Sequence, residues 1–122
     1  MQKDDNIRIL HMLDSAKEAV GFVNNINRAA LDKDRKLVLA LVKSIEIVGE
    51  AAARISDETC KKYPQIPWQN IVGMRNRLVH GYFAINLDIL WKTTIEDLPP
   101  LIIELKKIVS MFDNNKDKNR KY

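Results

Sequence analysis

Residues 34–55 read DRKLVLALVKSIEIVGEAAARI, and their apolar positions recur every three or four residues, which is the spacing of one face of an α-helix. Asp32 or Asp34 can cap the start of this helix, because either carboxylate can accept hydrogen bonds from the amides of a first turn. The pattern therefore predicts a helix over residues 34–55 with one face turned to a core. The residues on that face are Leu37, Val38, Leu41, Val42, Ile45, Val48, Ala52 and Ile55.

A second apolar strip runs along the same helix through Ala40, Ile47 and Ala51. The core of one monomer does not easily cover two faces of a helix, and apolar surface left in water marks an interface. This strip predicts that the chain forms a two-fold homodimer. The small side chains around Gly49 also permit another helix to approach closely.

The helical spacing continues through most of the chain. Ser56 is placed to cap a short helix, and Pro67 to occupy the first position of the next helix, which Gly81 would end in a left-handed conformation. Pro99 and Pro100 do not reset the apolar phase, so one long C-terminal helix with a proline kink is expected. Besides residues 34–55, the predicted helices cover residues 4–27, 57–62, 67–80 and 87–112.

These segments predict an all-α fold, an antiparallel helical bundle, in one domain over residues 1–113. Residues 114–122 form a polar, basic tail that is expected to fray.

A single cysteine, Cys60, excludes an internal disulfide, and no apolar run approaches the roughly 20 residues of a membrane span. The absence of an apolar N-terminal segment after a basic start predicts that there is no signal peptide and that the protein is cytoplasmic.

The stretch Arg75-Asn76-Arg77-Leu78-Val79-His80-Gly81-Tyr82 gathers the residues best suited to chemistry. Arginine carries a permanent planar cation that binds phosphate, and histidine exchanges protons near neutral pH. Together they are what cleavage of a phosphodiester without a metal ion requires, and the net charge of +4 mildly favours a polyanionic partner. Only two histidines occur, without His-x3-His spacing, so no metal site and no cofactor are predicted.

On a continuous helix over residues 67–80, Arg75 falls in the middle of the apolar face, so its charge must be paired or must line a cleft. The helix dipole would favour the protonated form of His80 at the C-terminal end. The two side chains point about 140° apart on such a helix, so they converge on one phosphate only if the helix ends there or a second chain supplies one of them. An ordinary structural role stays open, with Arg75 in an ion pair, His80 as a helix cap and Tyr82 as an aromatic at the rim.

The charged residues Glu46, Glu50 and Arg54 lie on one side of the helix over residues 34–55. They form either an ordinary solvated charge row or a set in which one glutamate orients an arginine of the site. His11 lies in the first helix and is expected to be structural or exposed, and Cys60 is expected to pack inertly.

The chain resembles the HepT-like branch of the HEPN family, ribonuclease toxins that are encoded beside minimal nucleotidyltransferases. The resemblance rests on the segments VGEA, YPQIPW, RNRLVHGYF and DLPPL, which begin at Val48, Tyr63, Arg75 and Asp97, and on Trp91. It implies an all-helical bundle that dimerises with the motif at the subunit cleft, and cleavage of RNA without a metal ion.

Carried over by position, the resemblance implies that Arg75 and His80 are catalytic and that Asn76 is an accessory polar group. Arg77, which lies beyond Asn76 and His80 on the predicted helix, is also expected to be accessory. Tyr82 would be the hydroxyl to which a cognate nucleotidyltransferase antitoxin attaches AMP, which blocks the site. The chain would then be an endoribonuclease, the toxin of a toxin-antitoxin pair, with RNA as its substrate. Two alternatives remain open: a non-catalytic helical subunit that binds a nucleotide or holds a nucleotidyltransferase partner, and a purely structural dimerisation domain.

Overall fold

The computed structural model describes residues 3–80 and 84–119, and over these residues the chain is an all-α helical bundle, as predicted. In chain order the helices are α1 (Lys3–Phe22), α2 (Ala30–Lys33), α3 (Arg35–Ala53), α4 (Asp57–Lys62), α5 (Trp68–Val72), α6 (Met74–Leu78), α7 (Leu87–Lys92) and α8 (Leu98–Asn119), with a π-helical turn (Thr93–Asp97) between the last two. Two short strands, β1 (Val79–His80) and β2 (Ala84–Ile85), pair in antiparallel fashion, with Val79 opposite Ile85 and His80 opposite Ala84.

The three long helices form the core, in which α1 packs against both α3 and α8. Their buried residues recur every three or four positions, as the apolar spacing predicted. Fully buried side chains are Ile9, Met12 and Ala16 of α1, Leu41, Ile45 and Val48 of α3, and Leu98, Leu105 and Ile108 of α8. Because burial of one large apolar side chain contributes about 1.5–3 kcal/mol, these helices make a stable frame for the short ones. No helix in the described part of the chain is long and apolar enough to cross a membrane.

The first helix ends earlier than predicted, at Phe22 rather than near Asn27. Asn25 has a φ of 63°, in the left-handed region that asparagine tolerates better than most residues, and this turns the chain away from the helix axis. Of the two predicted caps of α3, the structure uses Asp34, whose side chain accepts a hydrogen bond from the amide of Leu37 at 3.1 Å.

The second apolar strip of α3 is largely covered within the monomer. Ala51 is buried, and Ala40 and Ile47 are half-buried. Ile47 and Ala51 border a groove between α3 and α1. The strip is therefore not the open second face that we expected, and it does not by itself require a second subunit.

Residues 67–80 do not form the single helix that was predicted. Gly73 separates α5 from α6, and α6 ends at Leu78. The chain is extended from Val79 onward, where β-branched side chains are favoured and where β1 pairs with β2. The predicted helix end at Gly81 is therefore wrong, and Gly81 itself lies outside the described residues.

The C-terminal segment is one continuous helical run through α7, the π-helical turn and α8, as expected. Pro99 and Pro100 lack amide hydrogens, and their rings crowd the carbonyls four residues earlier. Those carbonyls lie within the π-helical turn, whose wider geometry accommodates the disturbance. The helix then continues to Asn119 and so extends into the predicted tail. Residues 120–122 lie outside the described part of the chain.

Asp5 of α1 is a fully buried carboxylate that ties α1 to α4. It accepts hydrogen bonds from the Ser56 amide at 3.1 Å, from Ser56 Oγ at 2.6 Å and from Thr59 Oγ1 at 2.6 Å. Burial raises the pKa of Asp5, but the hydrogen bonds from Ser56 and Thr59 and the charge of Arg8 outweigh burial, so the pKa lies below its usual value. Ser56 also caps α4, as predicted, by accepting from the amide of Thr59.

Asp5→Ala is expected to lower the free energy of unfolding by about 1–3 kcal/mol at roughly pH 7, because the donors of Ser56 and Thr59 lose a buried acceptor. The ionised carboxylate stabilises the fold above its unfolded pKa of about 3.9, and this contribution is lost as pH falls through the lower folded pKa. Denaturant unfolding should therefore show the difference between wild type and variant narrowing below about pH 4. Asp4→Ala, which removes the exposed neighbouring carboxylate, should change the free energy of unfolding by less than about 0.5 kcal/mol. If the difference in unfolding free energy between wild type and Asp5→Ala is the same near pH 7 as below about pH 4, this account is wrong.

Candidate active site

The position of α5 on α3 depends on Gly49. A Cβ atom at this position would lie 3.2 Å from the carbonyl oxygen of Ile71 and 3.5 Å from that of Val72. Any side chain here would press against the C-terminal end of α5. Since α6 follows directly and also packs on α3, Gly49 sets the position of both short helices. This agrees with the expectation that small residues here permit close helix approach.

Two buried aromatic residues anchor the turn that leads into α5. The indole Nε1 of Trp68 donates a hydrogen bond to the carbonyl of Tyr63 at 3.0 Å, and both side chains are buried. Pro67 precedes the helix as its cap, one position earlier than predicted. The turn thereby delivers α5 and α6 to α3 in one orientation.

Arg75 does not lie in the middle of an apolar face. The break at Gly73 changes the phase of α6, whose buried face carries Met74. The Arg75 side chain is 49% exposed, and its Nε donates to Oε2 of Glu46 at 3.2 Å. The predicted position is wrong because it assumed an unbroken helix. The expectation that the charge is paired or lines a cleft is confirmed.

A pocket of about 230 Å³ opens beside this ion pair, between α3 and the short helices. Its lining comprises Glu46, Gly49, Glu50, Ala53, Val72, Arg75 and Asn76. The structure thus brings together Arg75 and Asn76 of the motif and adds Glu46 from α3. Charge spacing could not choose between Glu46 and Glu50, because both project from one side of α3 and only the position of α6 decides which one meets Arg75.

Arg77 faces a different part of the surface from Arg75. Its Nη2 donates to the carbonyl oxygen of Asn70 at 3.2 Å. It lines a groove of about 390 Å³ between the short helices and α8, together with Glu96, Asp97 and Glu104. The structure therefore does not bring Arg77 to the pocket that Arg75 and Asn76 share.

His80 belongs to β1, where its backbone is extended and pairs with Ala84. It is not the C-terminal residue of a helix, so the predicted effect of the helix dipole on its protonation is wrong. The angle of about 140° between Arg75 and His80 does not apply either, because it assumed one continuous helix. The side chain of His80 and the whole of Tyr82 lie outside the described residues.

His11, the other histidine, is exposed on α1, which is one of the two positions expected for it. It borders a groove of about 320 Å³ between α1 and α3, together with Arg8 and Arg54. Glu50 lines both this groove and the Arg75 pocket, so the two depressions adjoin across α3.

Cys60 is half-buried, and burial, with smaller contributions from Asp57 and Asp5, raises the pKa of its thiol. A thiol held in the protonated form is a poor nucleophile, which agrees with inert packing. Among the side chains that the structure describes, no three His, Cys, Asp or Glu residues come together in a group that could hold a metal ion.

Known proteins resemble this chain over most of its length. Residues 12–108 match the family model described as "Ribonuclease HepT-like". The chain is 32% identical over 108 residues to a Methanocaldococcus jannaschii protein named "Putative RNase MJ0127", and the match covers 88% of this chain and 89% of that protein.

Two further relatives carry similar names. "Putative RNase TTE0752" from Caldanaerobacter subterraneus subsp. tengcongensis is 35% identical over 99 residues, which cover 81% of this chain and 88% of the relative. "Probable ribonuclease HepT" from Thermococcus cleftensis is 32% identical over 100 residues, which cover 79% of this chain and 91% of the relative. No solved structure matches the chain.

Proposed function

The chain belongs to the HepT-like ribonuclease family, and on that premise we propose that the Arg75 pocket is the active site of a metal-independent endoribonuclease. Family membership makes the chain an endoribonuclease that acts on RNA. We base this proposed site on the half-exposed guanidinium of Arg75, which is paired with Glu46 at the edge of a pocket beside Asn76.

In the proposed reaction the 2′-hydroxyl beside the scissile phosphate attacks phosphorus, and the 5′-oxygen of the next nucleotide leaves. The 2′-hydroxyl is the natural nucleophile because the substrate itself holds it next to the phosphate. His80 takes the proton of the nucleophile or delivers one to the leaving oxygen, and Arg75 stabilises the charge that develops on the phosphate. The products are a 2′,3′-cyclic phosphate and a 5′-hydroxyl.

The test of this function is RNA cleavage by the purified protein with and without a metal chelator. We expect equal rates in both conditions and a 2′,3′-cyclic phosphate at the new end. Cleavage that the chelator abolishes and a divalent metal restores would contradict the metal-independent mechanism. If the protein does not cut RNA but does bind a nucleotide, the result would favour the alternative in which the chain is a non-catalytic binding subunit.

We also propose that the active form is a two-fold homodimer, with a second copy completing the site. Support comes from apolar side chains that the monomer leaves exposed: Ile7 and Leu10 of α1, Leu39 of α3, and Val72. Val72 is 38% exposed and lines the Arg75 pocket, so apolar surface lies directly beside the candidate site. A two-fold axis there would bring two copies of the motif into one cleft.

Light scattering at micromolar concentrations is expected to give twice the mass of the 14.1 kDa chain. Val72→Glu should weaken the dimer by about tenfold or more, because it places a charge in an apolar contact. Ile103→Glu is the matched control, since Ile103 is an exposed apolar residue of α8 that does not line the pocket. A monomer across this concentration range would refute the proposal.

The proposed partner is a cognate minimal nucleotidyltransferase that adds AMP to Tyr82, and the pair would act as toxin and antitoxin in the cytoplasm. Asn76 borders the pocket, which supports its accessory role. Arg77 faces the other groove, so the geometry does not support its accessory role.

A further inference from the structure

The hydrogen bond between Arg75 and Glu46 uses a particular edge of the guanidinium. The donor is Nε, and the acceptor is Oε2 of Glu46 at 3.2 Å. A guanidinium carries its other four N–H groups on the two Nη atoms, which form a fork that can bind two oxygens of one phosphate. A carboxylate bonded to Nε therefore orients the guanidinium, and the Nη fork is the edge that can bind a phosphate.

Glu46 is well placed to hold an arginine in one orientation. It projects from the middle of α3, next to fully buried Ile45, and its side chain is only 26% exposed. Its second carboxylate oxygen lies 3.5 Å from Nζ of Lys43, so the two oxygens face two different cations. Gly49, three residues later, is the point where α5 meets α3, so the frame that carries Glu46 also sets the position of α6.

We propose that Glu46 is a positioning residue, which holds the Arg75 guanidinium so that its Nη fork meets the scissile phosphate. This inference rests on the proposed ribonuclease function. An ion pair at the surface, with one side chain half-exposed, contributes little to folding stability, so the effect of Glu46 should appear in the rate of cleavage rather than in unfolding. Displacement of a catalytic group by about 1 Å can slow a reaction by about 10²-fold.

Glu46→Ala is expected to lower kcat for RNA cleavage by about 10- to 100-fold, with KM within about twofold and an unchanged thermal midpoint. Glu46→Gln keeps an oxygen that can accept from Nε, so it should restore most of the rate. Equal loss in both variants would overturn the proposal, because the charge of Glu46 and not its hydrogen bond would then be what matters. A wild-type or higher rate in Glu46→Ala would overturn it as well.

Glu104→Ala is the matched control. Glu104 is 30% exposed and pairs with Lys107 three residues away at 3.3 Å, much as Glu46 pairs with Lys43, but it lies on α8 away from the pocket. The Glu104 variant should cut RNA at the wild-type rate. In an Arg75→Lys background, which lacks both the Nε–H donor and the Nη fork, Glu46→Ala should change the residual rate by no more than about twofold.

The ion pair can also be observed without any cleavage assay. In nuclear magnetic resonance spectra, the Nε–H proton of Arg75 should exchange more slowly with water in wild type than in Glu46→Ala, with Glu46→Gln between them. If wild type fails to cut RNA but this order holds, the proposed function fails while the contact stands. If wild type cuts RNA but the Arg75 signal is the same in all three proteins, the positioning role fails.

Discussion

Replacing either Arg75 or His80 by alanine is expected to abolish detectable RNA cleavage while the fold is kept. Loss of a proton-transfer group typically costs about 10²- to 10⁴-fold in rate, and loss of a preorganised charge-stabilising group about 10²- to 10³-fold. The fold should survive removal of Arg75, because its side chain is 49% exposed and a surface ion pair contributes only about 0–1 kcal/mol. Cleavage rates and thermal unfolding, measured on the same preparations, check both statements.

His11→Ala is the control for this experiment. His11 is the only other histidine, and it lies exposed on α1 in the groove beside Arg8 rather than in the Arg75 pocket. Its variant should cut RNA at the wild-type rate. Should His80→Ala cut RNA as fast as wild type, or should His11→Ala be the inactive variant, the assigned mechanism is wrong.

Tyr82→Phe is expected to escape silencing by the nucleotidyltransferase and to retain much of the nuclease activity. Tyr82 follows His80 by two residues, so AMP attached to its hydroxyl would place a bulky anion close to the catalytic motif. The added phosphate would compete with the RNA phosphate for the cationic groups and would also obstruct the cleft. Co-expression should therefore silence wild type almost completely and leave the phenylalanine variant active.

Mass spectrometry after co-expression should find AMP on Tyr82 and not on Tyr63 or Tyr122. The structure supplies a reason for Tyr63, because that residue is only 6% exposed and packs in the core. Modification confined to these other tyrosines would contradict the prediction. A phenylalanine variant that the partner silences as fully as wild type would contradict it too.

Much of the fold could be predicted from residue spacing, because a helix repeats every 3.6 residues and a buried face must be apolar over its whole length. Residues 34–55 illustrate this, since their spacing predicted the apolar face of α3, and Asp34, which caps α3, was one of the two aspartates predicted for that role. Ser56 was likewise identified as the cap of α4 from its position alone. Caps are local, so they depend only on residues three or four positions apart.

The candidate site was harder to predict, because its parts come from separate helices. The spacing over residues 67–80 suggested one helix, but Gly73 interrupts it and the residues from Val79 onward are extended. That error placed Arg75 in an apolar face and His80 at a helix end. Pairing between β1 and β2 joins residues that no helical periodicity relates, so it could not be read from the pattern.

The sequence by itself determined that this chain is a helical bundle, and it supplied the proposal that Arg75 and His80 carry the chemistry, because helical periodicity and residue chemistry are local properties. Only the tertiary structure decided which groups Arg75 meets. The approach of α5 to α3 at Gly49 brings Glu46 to Nε of Arg75 and leaves Arg77 facing the groove beside α8. Contacts between distant segments depend on how whole helices pack, and the spacing of residues within one helix carries no information about that packing.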